Sequence, residues 1–137
     1  MDEKRILVTG VGGNVGQGII RNIRSIEKPV KIIGCNTLAF SAGNHLCDQF
    51  YEVPFAYDPQ YLPTIMKIVF KEQIDLIIPS TDYEVYYLAK YKNTLPCAVA
   101  ASDEETAGIY LDKYRSYLHH KRFDIPFAAS FLPSNYD

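Results

Sequence analysis

Short apolar segments alternate with helix-type patterns along most of the chain, and this alternation constrains the fold more than any other feature. Five segments rich in apolar residues indicate strands, at 5–9, 30–35, 48–54, 75–78 and 97–100. Strands that alternate with helices favour a mostly parallel sheet, and right-handed crossovers place helices on both of its faces. The sequence therefore predicts an α/β fold, a three-layer Rossmann-like open sheet of about five parallel strands in the order 3-2-1-4-5.

Four helix starts are predicted from side chains that can accept hydrogen bonds from free backbone N–H groups. Asp58 is followed by proline, which suits the first helical position. The segments 81–84 and 102–105 each begin with a hydroxyl residue and end with glutamate, the spacing of a capping box. Asp112 precedes the last helix, which is expected to end near residue 123. The first helix is expected to bury one apolar stripe, formed by Val15, Ile19, Ile23 and Ile26.

Length and charge limit the number of domains and the classes of partner. The 137 residues fit one domain. We expect that domain to span 1–124, and 125–137 to begin a linker, because this last segment contains two prolines and lacks periodicity. The net charge of −2 provides no basic surplus for nucleic acid. Neither a membrane-spanning run nor a signal-peptide core is present, and the three cysteines form no disulfide framework, so a cytoplasmic location is expected.

The glycine-rich segment after the first strand is a candidate binding site. Gly10, Gly12 and Gly13 precede Asn14, where the first helix is expected to begin. Backbone N–H groups at a helix start can hold an anion, so this loop is a candidate substrate site. A dinucleotide site normally has an acidic residue at the end of the second strand, where this chain has Asn36. Three interpretations stay open: packing alone, a small anion or substrate, or NAD(P).

Two acidic residues follow the fourth strand. Asp82 and Glu84 are expected at the carboxyl ends of the strands, where open α/β sheets bind ligands. The alternative for Glu84 is that it only completes a capping box with Thr81. No set of residues has the spacing of a metal site, since His119 and His120 are adjacent and point to different sides of a helix.

Taken in order, these segments resemble the N-terminal domain of ATP-grasp ligases, especially those similar to the large subunit of carbamoyl-phosphate synthase. The resemblance covers residues 5 to about 130. It is carried by the following features: the glycine loop at 10–16, Asn36, Asp48, the Tyr-Glu-Val-Pro run at 51–54, the pair Tyr61-Leu62, the segment 75–84, the segment 102–105 and the pair Asp112-Lys113.

The resemblance implies a function for a longer protein. Such enzymes use ATP and Mg²⁺ to phosphorylate a carboxylate, and an amine then attacks the acyl phosphate. ATP lies between two later subdomains, so the 137-residue chain alone is expected to be inactive and to bind no cofactor tightly. Its expected partners are a C-terminal ATP-grasp domain of the same polypeptide and small carboxylate and amine substrates, and homodimer formation stays open.

The resemblance also assigns residues. Lys113 is expected to contact nucleotide phosphates in the full-length enzyme, and to be exposed and without a partner in this chain. No catalytic residue or metal ligand is expected within the chain. The residues expected to border the substrate are Gly10, Gly12, Gly13, Asn14, Asn36, Asp82 and Glu84.

Two other functions remain as alternatives. One is an NAD(P)-binding Rossmann domain of a short-chain-reductase-like protein, which rests on the glycine loop alone. The Tyr and Lys residues at 86–90 lie only about 80 residues after that loop, too early for the usual site of that family. The other is a non-catalytic module that binds a small ligand.

Overall fold

A computed structural model describes residues 3–135, in which five parallel strands form one sheet. The order is β3-β2-β1-β4-β5, which confirms the predicted winding with the first strand in the centre. No helix in these residues is long and apolar enough to cross a membrane. The strands are β1 (Lys4–Val8), β2 (Val30–Asn36), β3 (Gln49–Glu52), β4 (Leu76–Ile78) and β5 (Ala98–Val99).

Helices cover both faces of the sheet. The α-helices are α1 (Asn14–Arg24), α2 (Tyr61–Glu72), α3 (Asp82–Tyr91), α4 (Glu104–Leu111) and α5 (Lys113–Arg122), and short 3₁₀ turns lie at Ala42–Leu46, Lys92–Thr94 and Pro133–Asn135. Successive side chains of a strand point to opposite faces. On β1, Leu7 therefore packs with the core beneath α2 and α3, and Val8 packs with the core beneath α1. The predicted boundary between 1–124 and 125–137 stays a prediction.

The helix starts agree with the sequence at two places and differ at two. Asp112 caps α5, and Thr81 caps α3, as predicted. α2 begins at Tyr61 rather than at Asp58, because Asp58 closes a turn in which its side chain accepts from the backbone N–H of Gln60. α4 is capped by Asp103 instead of Ser102, since the two Asp103 oxygens accept from the backbone and the hydroxyl of Thr106.

The predicted buried stripe of α1 is wrong in part. Val15 and Ile26 are 62% and 49% exposed, and the buried residues of the helix are Gly16, Ile20 and Ile23. Ile26 lies beyond Arg24, the last residue of α1, and in the first turn the buried side belongs to Gly16, where the helix approaches the loop before it. A Cβ at Gly16 would lie 2.7 Å from the carbonyl oxygen of Gly10, so the glycine sets which face of α1 turns inward.

Candidate functional site

Loops from the carboxyl ends of four strands meet around one small cavity, which we call the strand-end cavity. Its volume is about 240 Å³. Open α/β sheets bind ligands at this edge, because the loops there converge without covering it. The lining residues come from the ends of β1, β2, β3 and β4: Gly10, Asn36, Thr37, Phe55, Ala56, Tyr57, Thr81, Tyr83 and Glu84.

Gly10 brings the backbone against the acidic side of this cavity. Its φ is +60°, a conformation that glycine adopts without the strain other residues meet. A Cβ at this position would lie 2.6 Å from Ser80 Oγ and 2.8 Å from Glu84 Oε2. The Ser80 hydroxyl also donates to the Gly10 carbonyl oxygen at 3.1 Å, which ties the loop to the end of β4. The missing side chain is thus what lets the loop pack on the Glu84 carboxyl.

Glu84 is buried, with 6% of its surface exposed, although it lies in the first turn of α3. Its Oε2 accepts a hydrogen bond from the Thr81 hydroxyl at 2.8 Å, and its Oε1 accepts from the Tyr61 hydroxyl at 3.4 Å. Burial raises the pKa of Glu84, and the hydrogen bonds lower it by less. The predicted capping contact is present through the backbone, since the Glu84 N–H donates to the Thr81 hydroxyl at 3.3 Å, and the Glu84 carboxyl also lines the cavity.

Thr9 and Tyr61 complete the polar surroundings of Glu84, and neither residue was predicted to belong to the site. Thr9 is fully buried beside the Glu84 carboxyl, and its hydroxyl lowers the pKa of Glu84. Tyr61 is 2% exposed, and burial raises the pKa of its hydroxyl. The hydrogen bond from Tyr61 to Glu84 could not be predicted from the sequence, because it depends on how α2 packs against α3.

Asn36 and Gly12 meet at the opposite side of the loop. The Asn36 amide nitrogen donates to the Ser41 hydroxyl at 3.4 Å, and a Cβ at Gly12 would lie 2.4 Å from that nitrogen. Gly12 therefore has a packing reason to be glycine. Gly13 and Asn14 are exposed and do not line the cavity. The structure thus brings Gly10, Asn36 and Glu84 together out of the predicted substrate residues.

Lys113 has a partner, contrary to the prediction that it stands alone. Its ammonium nitrogen lies 2.9 Å from Asp82 Oδ2, and both side chains are mostly exposed, at 76% and 62%. The pairing arises because the first residue of α5 reaches the first turn of α3. Asp82 consequently points to Lys113 and does not line the cavity that contains Glu84.

Three exposed aromatic side chains, Phe55, Tyr57 and Tyr83, stand at the mouth of the cavity, and we call them the aromatic rim. Each is more than half exposed. The rings of Phe55 and Tyr57 are stacked, with centroids 5.4 Å apart, and Tyr57 meets Tyr83 edge-on at 6.1 Å. The rim was not predicted from the sequence. The sequence indicates only that the aromatic residues just after β3 lie at the carboxyl edge, because the loops that follow parallel strands all lie at that edge.

A second cavity of about 450 Å³ lies beside the first and shares Ala56 and Tyr57 with it. Its other lining residues are mainly apolar or aromatic side chains of α2 and α3, including Leu62, Tyr87 and Leu88. The smaller cavity is the stronger candidate, because ligand sites combine apolar walls with a few polar groups and perturbed titratable residues. Within residues 3–135, no group of three or more His, Cys, Asp or Glu side chains is arranged to hold a metal ion.

Residues 6–99 match the PylC-like N-terminal domain family, and the chain belongs to that family. No curated protein matches the sequence significantly. Among solved structures, glycinamide-RNase-transformylase T from Mycobacterium tuberculosis matches 92% of this chain and 37% of its own length, with 14% identity and a TM-score of 0.68. N5-carboxyaminoimidazole synthetase from Staphylococcus aureus, complexed with ADP, matches 87% of this chain and 30% of its own, with 12% identity and a TM-score of 0.64.

A third similar structure is the biotin carboxylase domain of the Hydrogenobacter thermophilus 2-oxoglutarate carboxylase, in complex with MgADP and bicarbonate. It matches 90% of this chain and 28% of its own, with 16% identity and a TM-score of 0.64. At these identities the matches establish the fold alone. The chain spans about a third of the length of these structures. The narrower resemblance to carbamoyl-phosphate synthase stays a prediction.

Proposed function

We propose that this chain is the substrate-side N-terminal domain of an ATP-dependent carboxylate–amine ligase. The observation that carries the proposal is the strand-end cavity, which holds a buried carboxyl at the ligand-binding edge of a PylC-like N-terminal domain. In this proposal the domain binds a small substrate through Gly10, Asn36 and Glu84. A C-terminal ATP-grasp domain of the same polypeptide then supplies the nucleotide site.

The residues of this chain do not by themselves fit ATP and Mg²⁺. The lining of the strand-end cavity contains no Lys, Arg or His that could face a triphosphate. At about 240 Å³ the cavity is also smaller than the roughly 300–1,000 Å³ of most small-molecule sites. We therefore assign the nucleotide to the partner domain, where ATP would activate the carboxylate by phosphorylation. Lys113 is the contribution we propose from this chain, because its ammonium is exposed at the start of α5.

The function is tested on the full-length polypeptide that carries this domain. ADP release should require both a carboxylate and an amine from a panel of small substrates. Hydroxylamine should replace the amine and yield a hydroxamate, which marks an acyl phosphate intermediate. ADP release without hydroxamate, or none with any carboxylate, would contradict the proposal.

The isolated chain provides the second arm of this test. A ligand that binds only the native state raises the melting temperature. We expect small amines or amino acids to raise it, and NADH and ATP-Mg²⁺ to leave it unchanged. A saturable shift with NADH would instead favour the NAD(P)-binding alternative.

A further inference from the structure

The Glu84 carboxyl is buried without a cation. No Lys, Arg or His in residues 3–135 forms an ion pair with it. Its hydrogen-bond partners, Thr81 and Tyr61, are neutral groups. Burial of an ionised carboxylate is unfavourable unless an opposite charge accompanies it. A site of this kind gains most from a ligand that brings a positive charge.

The rest of the cavity lining also suits a cation. The amide nitrogen of Asn36 donates to Leu38 and Ser41, which leaves the amide oxygen available as an acceptor. Tyr57 and Tyr83 add aromatic faces at the mouth, and such faces attract ammonium groups. A phosphate or a carboxylate would meet no cationic side chain here and would be repelled by ionised Glu84.

The size of the cavity limits what can enter. A volume of about 240 Å³ accommodates one end of a small molecule rather than a nucleotide. The approach of Gly10 to the carboxyl keeps the floor of the cavity free of side-chain atoms from that loop. An amino group on a short aliphatic stem matches both the charge and the dimensions, with its carbon atoms against the aromatic rim.

We propose that the strand-end cavity binds the protonated primary amine of a small aliphatic substrate, with Glu84 as its counter-ion and the aromatic rim around its stem. The inference rests on the proposed function and specifies its amine substrate: the ammonium is held at this domain, it passes a proton to the Glu84 carboxylate, and the neutral amine then attacks the acyl phosphate with release of inorganic phosphate. Glu84 acts by binding and orienting the ammonium and by accepting its proton.

The experiment uses the 137-residue chain with n-butylammonium chloride as the probe, and 1-butanol and butyrate as matched neutral and anionic controls. Binding is followed by calorimetry and by the carboxyl ¹³C resonance of Glu84 across a pH titration. We expect saturable binding of n-butylammonium, with little binding of either control. The bound cation should lower the pKa of Glu84, because it favours the ionised form.

Two variants separate a counter-ion from a structural residue. Glu84→Gln keeps the shape of the side chain and should weaken n-butylammonium binding about tenfold or more. Glu105→Gln removes the same charge from an exposed site on α4 and should leave binding unchanged. Equal binding by Glu84→Gln, equal binding of 1-butanol, or no saturable binding of the cation would overturn the proposal. The Glu84 resonance of the unsubstituted chain decides the question even if Glu84→Gln folds poorly.

The outcome also separates this inference from the proposed function. Binding of n-butylammonium through Glu84, without hydroxamate formation by the full-length polypeptide, would refute the ligase function and leave the amine site in place. Hydroxamate formation with no response at Glu84 would refute only the amine site.

Discussion

Two buried glutamates at opposite edges of the sheet have opposite electrostatic surroundings. Glu72 ends α2 near the amino ends of the strands, and Glu84 begins α3 at the carboxyl ends. Glu72 accepts from the Tyr51 hydroxyl at 2.5 Å and pairs with the Lys31 ammonium at 3.1 Å. The hydrogen bond from Tyr51, followed by that from Lys31, lowers the pKa of Glu72, whereas burial raises the pKa of Glu84.

The difference supports the proposal that the carboxyl edge of the sheet binds a ligand and that the amino edge is structural. Near the amino ends of the strands, the acidic groups find cations or N–H donors within the chain. Asp75, for example, pairs with Lys4 at 2.9 Å and accepts from the backbone N–H of Arg5 at 2.8 Å. At the carboxyl ends, Glu84 has neutral partners only. A buried charge that the fold leaves without a counter-charge is a functional candidate with a physical rationale.

The largest expected effect concerns the contact between the glycine loop and Glu84. Gly10→Ala should destabilise the fold by about 2–4 kcal/mol, because a left-handed backbone strains any side chain and the Cβ would crowd Ser80 and Glu84. Gly18→Ala is the matched control, since a Cβ there meets nothing within 4 Å inside α1 and should stabilise by about 0.5–1 kcal/mol. Urea unfolding measures both, and equal effects would mean that the loop does not pack on the carboxyl.

The second prediction tests the amino edge. At neutral pH, Glu72→Gln should reduce the free energy of unfolding by about 1–3 kcal/mol, because Lys31 loses its partner and the Tyr51 bond loses its charge. A double-mutant cycle with Lys31→Met should return part of the loss, since the unpaired ammonium is then absent. A cycle without coupling would show that the ion pair contributes nothing and would remove the contrast with Glu84.

The third prediction concerns Lys113 in the full-length polypeptide. Lys113→Ala should raise KM for ATP about tenfold, or roughly 1.4 kcal/mol, the size of one charged phosphate contact. Its stability should change by less than about 0.5 kcal/mol, because the pair with Asp82 is mostly exposed. Asp82→Asn is the control, as it removes the same ion pair and should leave KM for ATP equal or lower. A parallel rise in both variants would assign the effect to the ion pair instead of the nucleotide contact.

The architecture was predictable because it depends on patterns that are local in the chain. The order of strands follows from strand–helix alternation and right-handed crossovers, and the cap at Asp112 follows from one side chain and the N–H groups just after it. The buried face of α1 was missed because it depends on the contact of Gly16 with Gly10, which hydrophobic periodicity does not contain. The α4 cap was misplaced because Ser102 and Asp103 are adjacent and both able to cap.

The site was predictable only in outline. The position of Glu84 after β4 was enough to place it at the carboxyl edge, whereas Asn36 was assigned to the substrate through the family resemblance and lies at the same edge because it ends β2. The hydrogen bond from Tyr61 and the aromatic rim depend on the paths of separate loops, which no spacing in the sequence specifies. The same limit explains the error at Lys113, whose partner lies 31 residues away.

The smallest expected effect is on the pH dependence of stability. The contribution of Glu84 to the free energy of unfolding should change with pH in the opposite direction to the contribution of Glu72. Because burial raises the pKa of Glu84 above its ordinary value of 4.5, the folded chain holds this proton more tightly than the unfolded chain. The contribution of Glu84 to stability is therefore complete below pH 4.5 and is lost as pH rises through the folded pKa. Tyr61 and Cys35, the titratable groups that face it, have pKa values raised by burial and stay neutral in this range.

At pH values above the folded pKa of Glu84, the Glu84→Gln variant should consequently be at least as stable as the unsubstituted chain. The gain should be at most about 1 kcal/mol, and it arises because glutamine carries no charge to desolvate. Urea unfolding at a series of pH values should give a difference between the two chains that grows in favour of glutamine as pH rises. For Glu72, whose pKa is lowered, the contribution is present above 4.5 and is lost as pH falls through the folded pKa. If the stability of both glutamine variants follows the same pH trend, the two edges do not differ in charge compensation. That result would contradict the proposal that a cationic ligand pairs with Glu84.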